Sequence, residues 1–148
     1  MSVKATNKRA RFDYELLKKY EAGLVLTGQE VKSIRTGHMS LKGSFVTLKG
    51  DELFLTNATI SPYKFASNVK DYDPTRPRKL LLKRSEIDSL LGKLKTKGLT
   101  LVPIRVYTKK RLLKLEFAIG KGKKKFDKRE TIKRKESKRK TQRALKSN

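Results

Sequence analysis

The chain has 148 residues and no cysteine, and its 39 Lys and Arg against 14 Asp and Glu give a formal net charge of +25. That length fits one domain with an extension; disulfides, thiolate metal sites and thiol catalysis are excluded, and the lack of cysteine suits a reducing cytoplasm. Such a cationic excess repels itself in a compact state, which implies a polyanionic partner: nucleic acid, an anionic membrane or an acidic protein.

The charge is unevenly placed. Residues 1–120 carry 25 basic and 11 acidic side chains, whereas residues 121–148 carry 14 and 3. A basic body is therefore followed by a denser basic tail. No run of about 18 apolar residues is present to span a bilayer. The first residues, "MSVKATNKRARF", lack the apolar stretch of a secretory signal. Their lack of acids leaves a transit peptide open.

In chain order, residues 1–8 read as flexible. Residues 11–26, "RFDYELLKKYEAGLVL", read as one long bent strand in which Gly23 marks a bulge or a close backbone approach. Residues 27–37 read as a short helix. Thr27 and Glu30 have capping-box spacing, Val31 and Ile34 share a face, and Gly37 stops it. Residues 44–60 read as a hairpin turning at Gly50-Asp51. Pro74 and Pro77 stiffen a loop before a short strand over 79–83. Ile87, Leu90, Leu91 and Leu94 form the apolar stripe of a second helix, with Ser85 and Asp88 at cap-like spacing and Gly98 at its end.

Two further strands follow, "LTLVPIRVY" and "RLLKLEFAIG", joined at "TKK". In the second, Leu113, Leu115, Phe117 and Ile119 point one way, and Lys114, Glu116 and Ala118 the other. Pro103 places the first at an edge or at a bulge. The sum is a mainly β fold: a small antiparallel OB-like barrel of about six strands with two to three short helices, over residues 1–120. The tail, residues 121–148, has few apolar side chains but many good helix formers and i,i+4 Glu-to-cation pairs. It is expected to be disordered alone and helical once anions neutralise it, with Gly120 and Gly122 as the hinge.

Catalytic signals are weak. His38, the single histidine, has no partner at triad spacing and reads as a solvated loop residue. Asp71, Asp73, Glu86 and Asp88 are the densest carboxylates and could hold Mg²⁺. The simpler reading makes Asp73 a turn former and Asp88 a helix cap. No Walker A loop or GxGxxG occurs, and "GKGKKK" lacks P-loop spacing. Neither enzymatic activity nor a cofactor is expected.

The basic positions say more together than singly. Lys8, Arg9 and Arg11 stand beside Phe12 and Tyr14, suited to backbone contacts and base stacking or to a basic terminus over core aromatics. Lys32 and Arg35 lie one helical turn apart. Arg76, Arg78 and Lys79 flank the stiffened loop. Glu21 could orient an arginine, accept from a base amino group, or form an ordinary strand ion pair. A ribosomal or assembly protein with a basic extension is one competing reading, and a nuclease or RNA-modifying enzyme is another.

The segments "NKRARFDYELLKKYEAGLVLTGQEVKSIRTG", "DPTRPRKLLL", "KGLTLVPIRVY" and "GKGKKKFDKRE" occur in an order and spacing that resembles the SmpB family, bacterial small proteins that bind transfer-messenger RNA. The resemblance covers essentially residues 7–145. It implies an OB-like barrel that binds the tRNA-like domain of that RNA, standing in for the missing anticodon arm, and delivers it to stalled ribosomes. It also implies that the tail enters the vacant messenger channel past the decoding centre and turns helical there. The implied RNA-binding residues are Asn7, Lys8, Arg9, Glu21, Lys32, Arg35, Leu81 and Lys114, and the residue pattern itself adds Arg11, Gly23, Arg78 and Lys79 to that candidate set. The implied channel set is Lys121, Lys123, Lys124, Phe126, Asp127, Lys128 and Arg129, in which Phe126 keeps an aromatic but not the histidine of other members. The implied partners are that RNA and the small-subunit rRNA. The protein would be a cytoplasmic monomer with no membrane attachment.

Overall fold

The computed structural model describes residues 1–66 and 71–123, together with Arg129, Ile132, Lys133 and Glu136. Among these the chain order is β1 (Ser2–Thr6), α1 (Ala10–Asp13), β2 (Tyr14–Leu24), α2 (Gly28–Arg35), β3 (Met39–Ser40) and β4 (Phe45–Lys49). There follow β5 (Glu52–Thr56), β6 (Thr59–Ile60), β7 (Arg78–Leu81), α3 (Arg84–Leu94), β8 (Leu99–Lys109) and β9 (Leu112–Gly122). Seven strands form one antiparallel sheet in the order β1-β8-β9-β2-β7-β5-β4, and β3 pairs with β6 in a separate two-stranded ladder. The sheet curls until β4 lies against β8. It encloses a core of Leu53, Leu55, Ile60, Leu80, Leu90, Val106, Leu115, Phe117 and Ile119, with Ile34 of α2 plugging it. This is the mainly β, OB-like architecture expected.

The β8–β9 hairpin dominates the sheet because its chemistry is locally consistent. Apolar residues alternate along β9, so Leu113, Leu115, Phe117 and Ile119 all face the core. The strands join at Lys110 and Arg111, not across "TKK", and both have positive φ, 49° and 66°. A two-residue primed turn of this kind matches the right-handed twist of the strands it joins. Pro103 sits at a bulge, where the register slips between Pro103 and Arg105. The bulge leaves β8 inside the sheet, between β1 and β9. Ala118, expected to face outward, is fully buried, because α1 lies against β8 and covers this end of the outer face.

Helix α2 forms as its spacing predicts. Thr27 Oγ1 accepts from the Glu30 amide, the Glu30 carboxylate accepts from the Thr27 amide, and Gly37 takes φ +83° beyond the last turn. Helix α3 differs in its start: Lys83 is the N-cap without a side-chain bond, and Asp88 pairs with Arg84 one turn back instead of capping. Only Leu90 of its stripe is fully buried.

Three expectations fail at the chain's start and end. Residues 1–8 are not loose: Ser2–Thr6 adds β1 to the edge of β8. The supposed single strand over residues 11–26 opens with α1, and its irregularity falls between Leu16 and Lys19, not at Gly23. Finally, Gly120 does not end the barrel. Strand β9 stays paired to Gly122, and the Lys123 amide donates to Asp13 O at 2.9 Å. Gly120 serves packing there, since a Cβ would lie 2.8 Å from Val102 Cγ2 and 3.2 Å from Tyr14 Cβ.

Candidate nucleic-acid interface

Strand register brings together residues far apart in sequence. Across the outer face, Leu81 of β7, Gly23 of β2, Lys114 of β9, Tyr107 of β8 and Val3 of β1 lie side by side. Gly23 is the low point of this row. A Cβ there would meet Leu81 Cβ at 3.4 Å and Lys114 Nζ at 3.8 Å, so its role is close approach. The sheet row and α2 frame a groove of about 310 Å³. Gly23, Leu81 and Lys114 form its floor, Val31 and Arg35 come from α2, and Arg111 and Leu112 from the hairpin turn. The Arg35 guanidinium donates to Arg111 O at 2.7 Å, locking helix to turn. Leu81 and Leu112 remain 53% and 60% exposed, so the groove pairs cations with open apolar edges.

One register step of two along the same face sets Glu21 directly opposite Glu116. Like charges so placed repel, and each is neutralised locally. Glu116 accepts from Arg105 at 3.1 Å. Glu21 accepts from the Tyr107 hydroxyl and from Lys109 Nζ at 3.3 Å. The Tyr107 hydroxyl, then Lys109 and Lys114, hold the Glu21 carboxyl below its ordinary value against the opposing effect of burial. Burial and the Glu21 charge push the Tyr107 hydroxyl up correspondingly. Glu21 thus pairs with Lys109 beside the groove and attracts Lys114 within it, the strand ion-pair reading of this residue.

Arg78 requires a correction. It is 0% exposed, with Nε 2.7 Å from Glu30 Oε2, and its other nitrogens donate to Ala58 O at 2.7 Å and Pro74 O at 3.0 Å. A guanidinium so enclosed reaches no outside phosphate. It ties the proline loop to α2, and Arg76 completes the clamp on the other Glu30 oxygen. Burial would raise the Glu30 carboxyl. The Thr27 amide, Arg76 and Arg78 together outweigh it and hold the group below its ordinary value.

The remaining expected residues divide between other places. Asn7 is structural in its contacts: its side-chain amide donates to Pro103 O at 2.8 Å, beside the bulge, and its Oδ1 accepts from the Arg9 amide. Lys8 and Arg11 are exposed, whereas Arg9 pairs with Asp13 and lies over the Phe12 ring at 4.4 Å. Lys8, Arg9 and Lys42 border a separate concavity of about 440 Å³ that shares no residue with the groove. Lys79 pairs with Glu52 at 3.1 Å. Lys121 is exposed at the end of β9, and Lys123 follows it half-buried. Arg129 is helical and exposed, as are Ile132, Lys133 and Glu136. Lys124, Phe126, Asp127 and Lys128 lie outside the described residues. Sequence reasoning did not single out Arg111, Leu112, Tyr107 or Lys109. Its one available signal was the β8–β9 hairpin, which sets Tyr107 opposite Lys114 and puts Lys109, Arg111 and Leu112 at its turn.

An antiparallel barrel of OB type, strongly basic, with a glycine-floored cationic groove on one face, defines a small polyanion-binding module. The chain belongs to the SmpB family, whose model matches residues 4–147. It is 54% identical over 144 residues to an SsrA-binding protein of Sulfurihydrogenibium sp., covering 97% of this chain and 94% of that one. An SsrA-binding protein of Shouchella clausii is 50% identical over 144 residues, covering 97% and 92%. The structure is also similar to a solved chain, described as "tmRNA-SmpB: a journey to the center of the bacterial ribosome", with a TM-score of 0.66 and 47% identity over 81% of this chain and 84% of that one. Among the described residues no helix is long and apolar enough to cross a membrane.

Proposed function

We propose that this protein binds transfer-messenger RNA through the groove between α2 and the outer face of the sheet and carries it to stalled ribosomes for trans-translation. Close relatives named SsrA-binding proteins, and the tmRNA-SmpB structural neighbour, support the partner. The observation that carries the reading is the convergence of Arg35, Arg111 and Lys114 over the bare backbone of Gly23. Cations there can neutralise adjacent phosphates, and the glycine lets a sugar–phosphate chain approach the sheet closely. Such contacts read shape without reading base sequence, as binding to a folded tRNA-like RNA requires. The protein acts by binding, without catalysis or cofactor, as a cytoplasmic monomer. Its basic tail probes the emptied messenger channel, becoming ordered against ribosomal RNA.

Sequencing the RNA that co-purifies with the protein tests the partner directly: one small stable RNA should dominate. Enrichment of ribosomal subunits alone would favour an assembly factor. The groove is tested by the Arg35→Ala, Lys114→Ala double variant. Its affinity for the tRNA-like RNA should fall by about 10- to 100-fold, and its log–log salt dependence should flatten by roughly 0.7 to 0.9 for each phosphate no longer neutralised. Affinity and slope both matching wild type would remove the groove from the binding surface.

A further inference from the structure

Residues 61–66 form a turn bonded to α2 at Ser33 and Gln29 and to the segment just after it at His38. Ser33 Oγ donates to Ser61 O at 2.6 Å, the Ser61 amide donates to His38 O at 3.0 Å, and the Tyr63 amide donates to Gln29 Oε1 at 3.0 Å. The Ala66 amide closes the turn onto Tyr63 O at 3.0 Å. This hydrogen-bonded turn presents Phe65 at 77% exposure, more than any other large apolar side chain among the described residues except Met1. The Tyr63 and Phe65 rings meet edge to face, with centroids 5.6 Å apart and planes at 69°. Cations flank both: Lys32 Nζ lies 5.7 Å from the Tyr63 centroid and Lys64 Nζ 5.7 Å from that of Phe65.

An aromatic pair held out in water, pre-ordered and rimmed by lysines, is what a stacking site for an unpaired base needs. The ring offers a face that any base can cover, and the cations meet the phosphates on either side. An apolar protein partner would be poorly served by the two ammonium groups. Helix α2 joins this platform to the groove, because Lys32 faces Tyr63 and Arg35, three residues on, lines the groove.

We propose that Tyr63 and Phe65, with Lys32 and Lys64, form a stacking subsite for an unpaired nucleobase of the RNA held in the groove. The proposal rests on the RNA-binding reading above, and the test separates the two. Full-length protein is titrated with a tRNA-like-domain transcript at several salt concentrations, with the Arg35→Ala, Lys114→Ala variant as control.

Phe65→Ala should weaken binding roughly 5- to 150-fold while leaving the log–log salt slope unchanged, since stacking releases no counterions. Phe65→Trp should retain wild-type affinity. Lys32→Ala with Lys64→Ala should flatten the slope by about 0.7 for each phosphate left without its ammonium partner. A transcript carrying 5-iodouridine should photocrosslink to Phe65. Phe65→Ala binding like wild type, or weakening only through a flatter slope, would overturn the subsite while leaving the groove intact. Crosslinks from the 5-iodouridine transcript that map to other residues and never to Phe65 would also overturn it. Failure of wild type to bind, or of the control variant to weaken, would fall on the groove reading.

Discussion

Arg78→Met should lower the free energy of unfolding by about 3–5 kcal/mol, measured by urea denaturation of the full chain. The wild-type guanidinium is sealed in the fold with a carboxylate and two carbonyls as partners. Methionine fills the volume but leaves Ala58 O and Pro74 O without this donor and removes the buried cation facing Glu30. The loss is large because desolvation of the remaining charge is no longer offset. Adding Glu30→Leu should recover part of the loss, because no carboxylate is then left buried without Arg78, while the capping bond to the Thr27 amide and the Arg76 contact are given up. A change below about 1 kcal/mol for Arg78→Met would mean that water reaches the clamp. Binding of RNA by the folded fraction should be unaltered, since Arg78 touches no surface.

The same clamp should leave a pH signature. The Glu30 carboxyl sits below its ordinary value of 4.5 in the folded chain. The unfolded state therefore takes up a proton first as pH falls. The contribution of Glu30 is complete above about pH 4.5 and declines as pH falls through the lower folded value. Melting temperature followed from pH 6 downward should show this decline in wild type, and Glu30→Gln should lack that component. Parallel curves for the two proteins would sink the assignment.

Removing residues 124–148 should abolish tagging of peptides on stalled ribosomes while leaving affinity for the isolated tRNA-like RNA within about tenfold. The reason is positional. The groove belongs wholly to the body, and β9 closes at Gly122, with the Lys123 amide held by Asp13 O. The deleted piece carries 12 basic and 3 acidic side chains, so some general electrostatic attraction goes with it. Tagging in a reconstituted translation system measures the first effect, and equilibrium titration the second. If the shortened chain lost most of its RNA affinity, the tail would be part of the primary binding site. If tagging persisted, the channel-probing role would fall.

What could be read from the chain alone follows the range of the interactions concerned. The capping box of α2, the Gly50 turn and the alternation of β9 were legible because each is written within about ten residues. Strand β1 was not. Val3 and Ala5 are too few to signal a strand, and Ser2–Thr6 is ordered by pairing with β8 across the length of the chain. Arg78 was misjudged for the same reason: its burial depends on Glu30, whose position within a capping box already explained it locally. The site was half visible. Leu81 and Lys114 were implied by family resemblance and Gly23 by its place inside a strand, and register places them shoulder to shoulder. Arg111 and Leu112 enter only because a two-residue turn swings them toward α2.

Strand β9 also acts as a ruler. One end bears Lys114 in the groove, and the other, at Gly122, releases the chain toward its C-terminus. Eight residues at about 3.3 Å each set these points roughly 26 Å apart. Paired along both edges, to β8 and to β2, the strand holds that spacing. On the proposed reading, RNA held at the groove would thereby sit at a set distance from the point where the tail leaves the barrel.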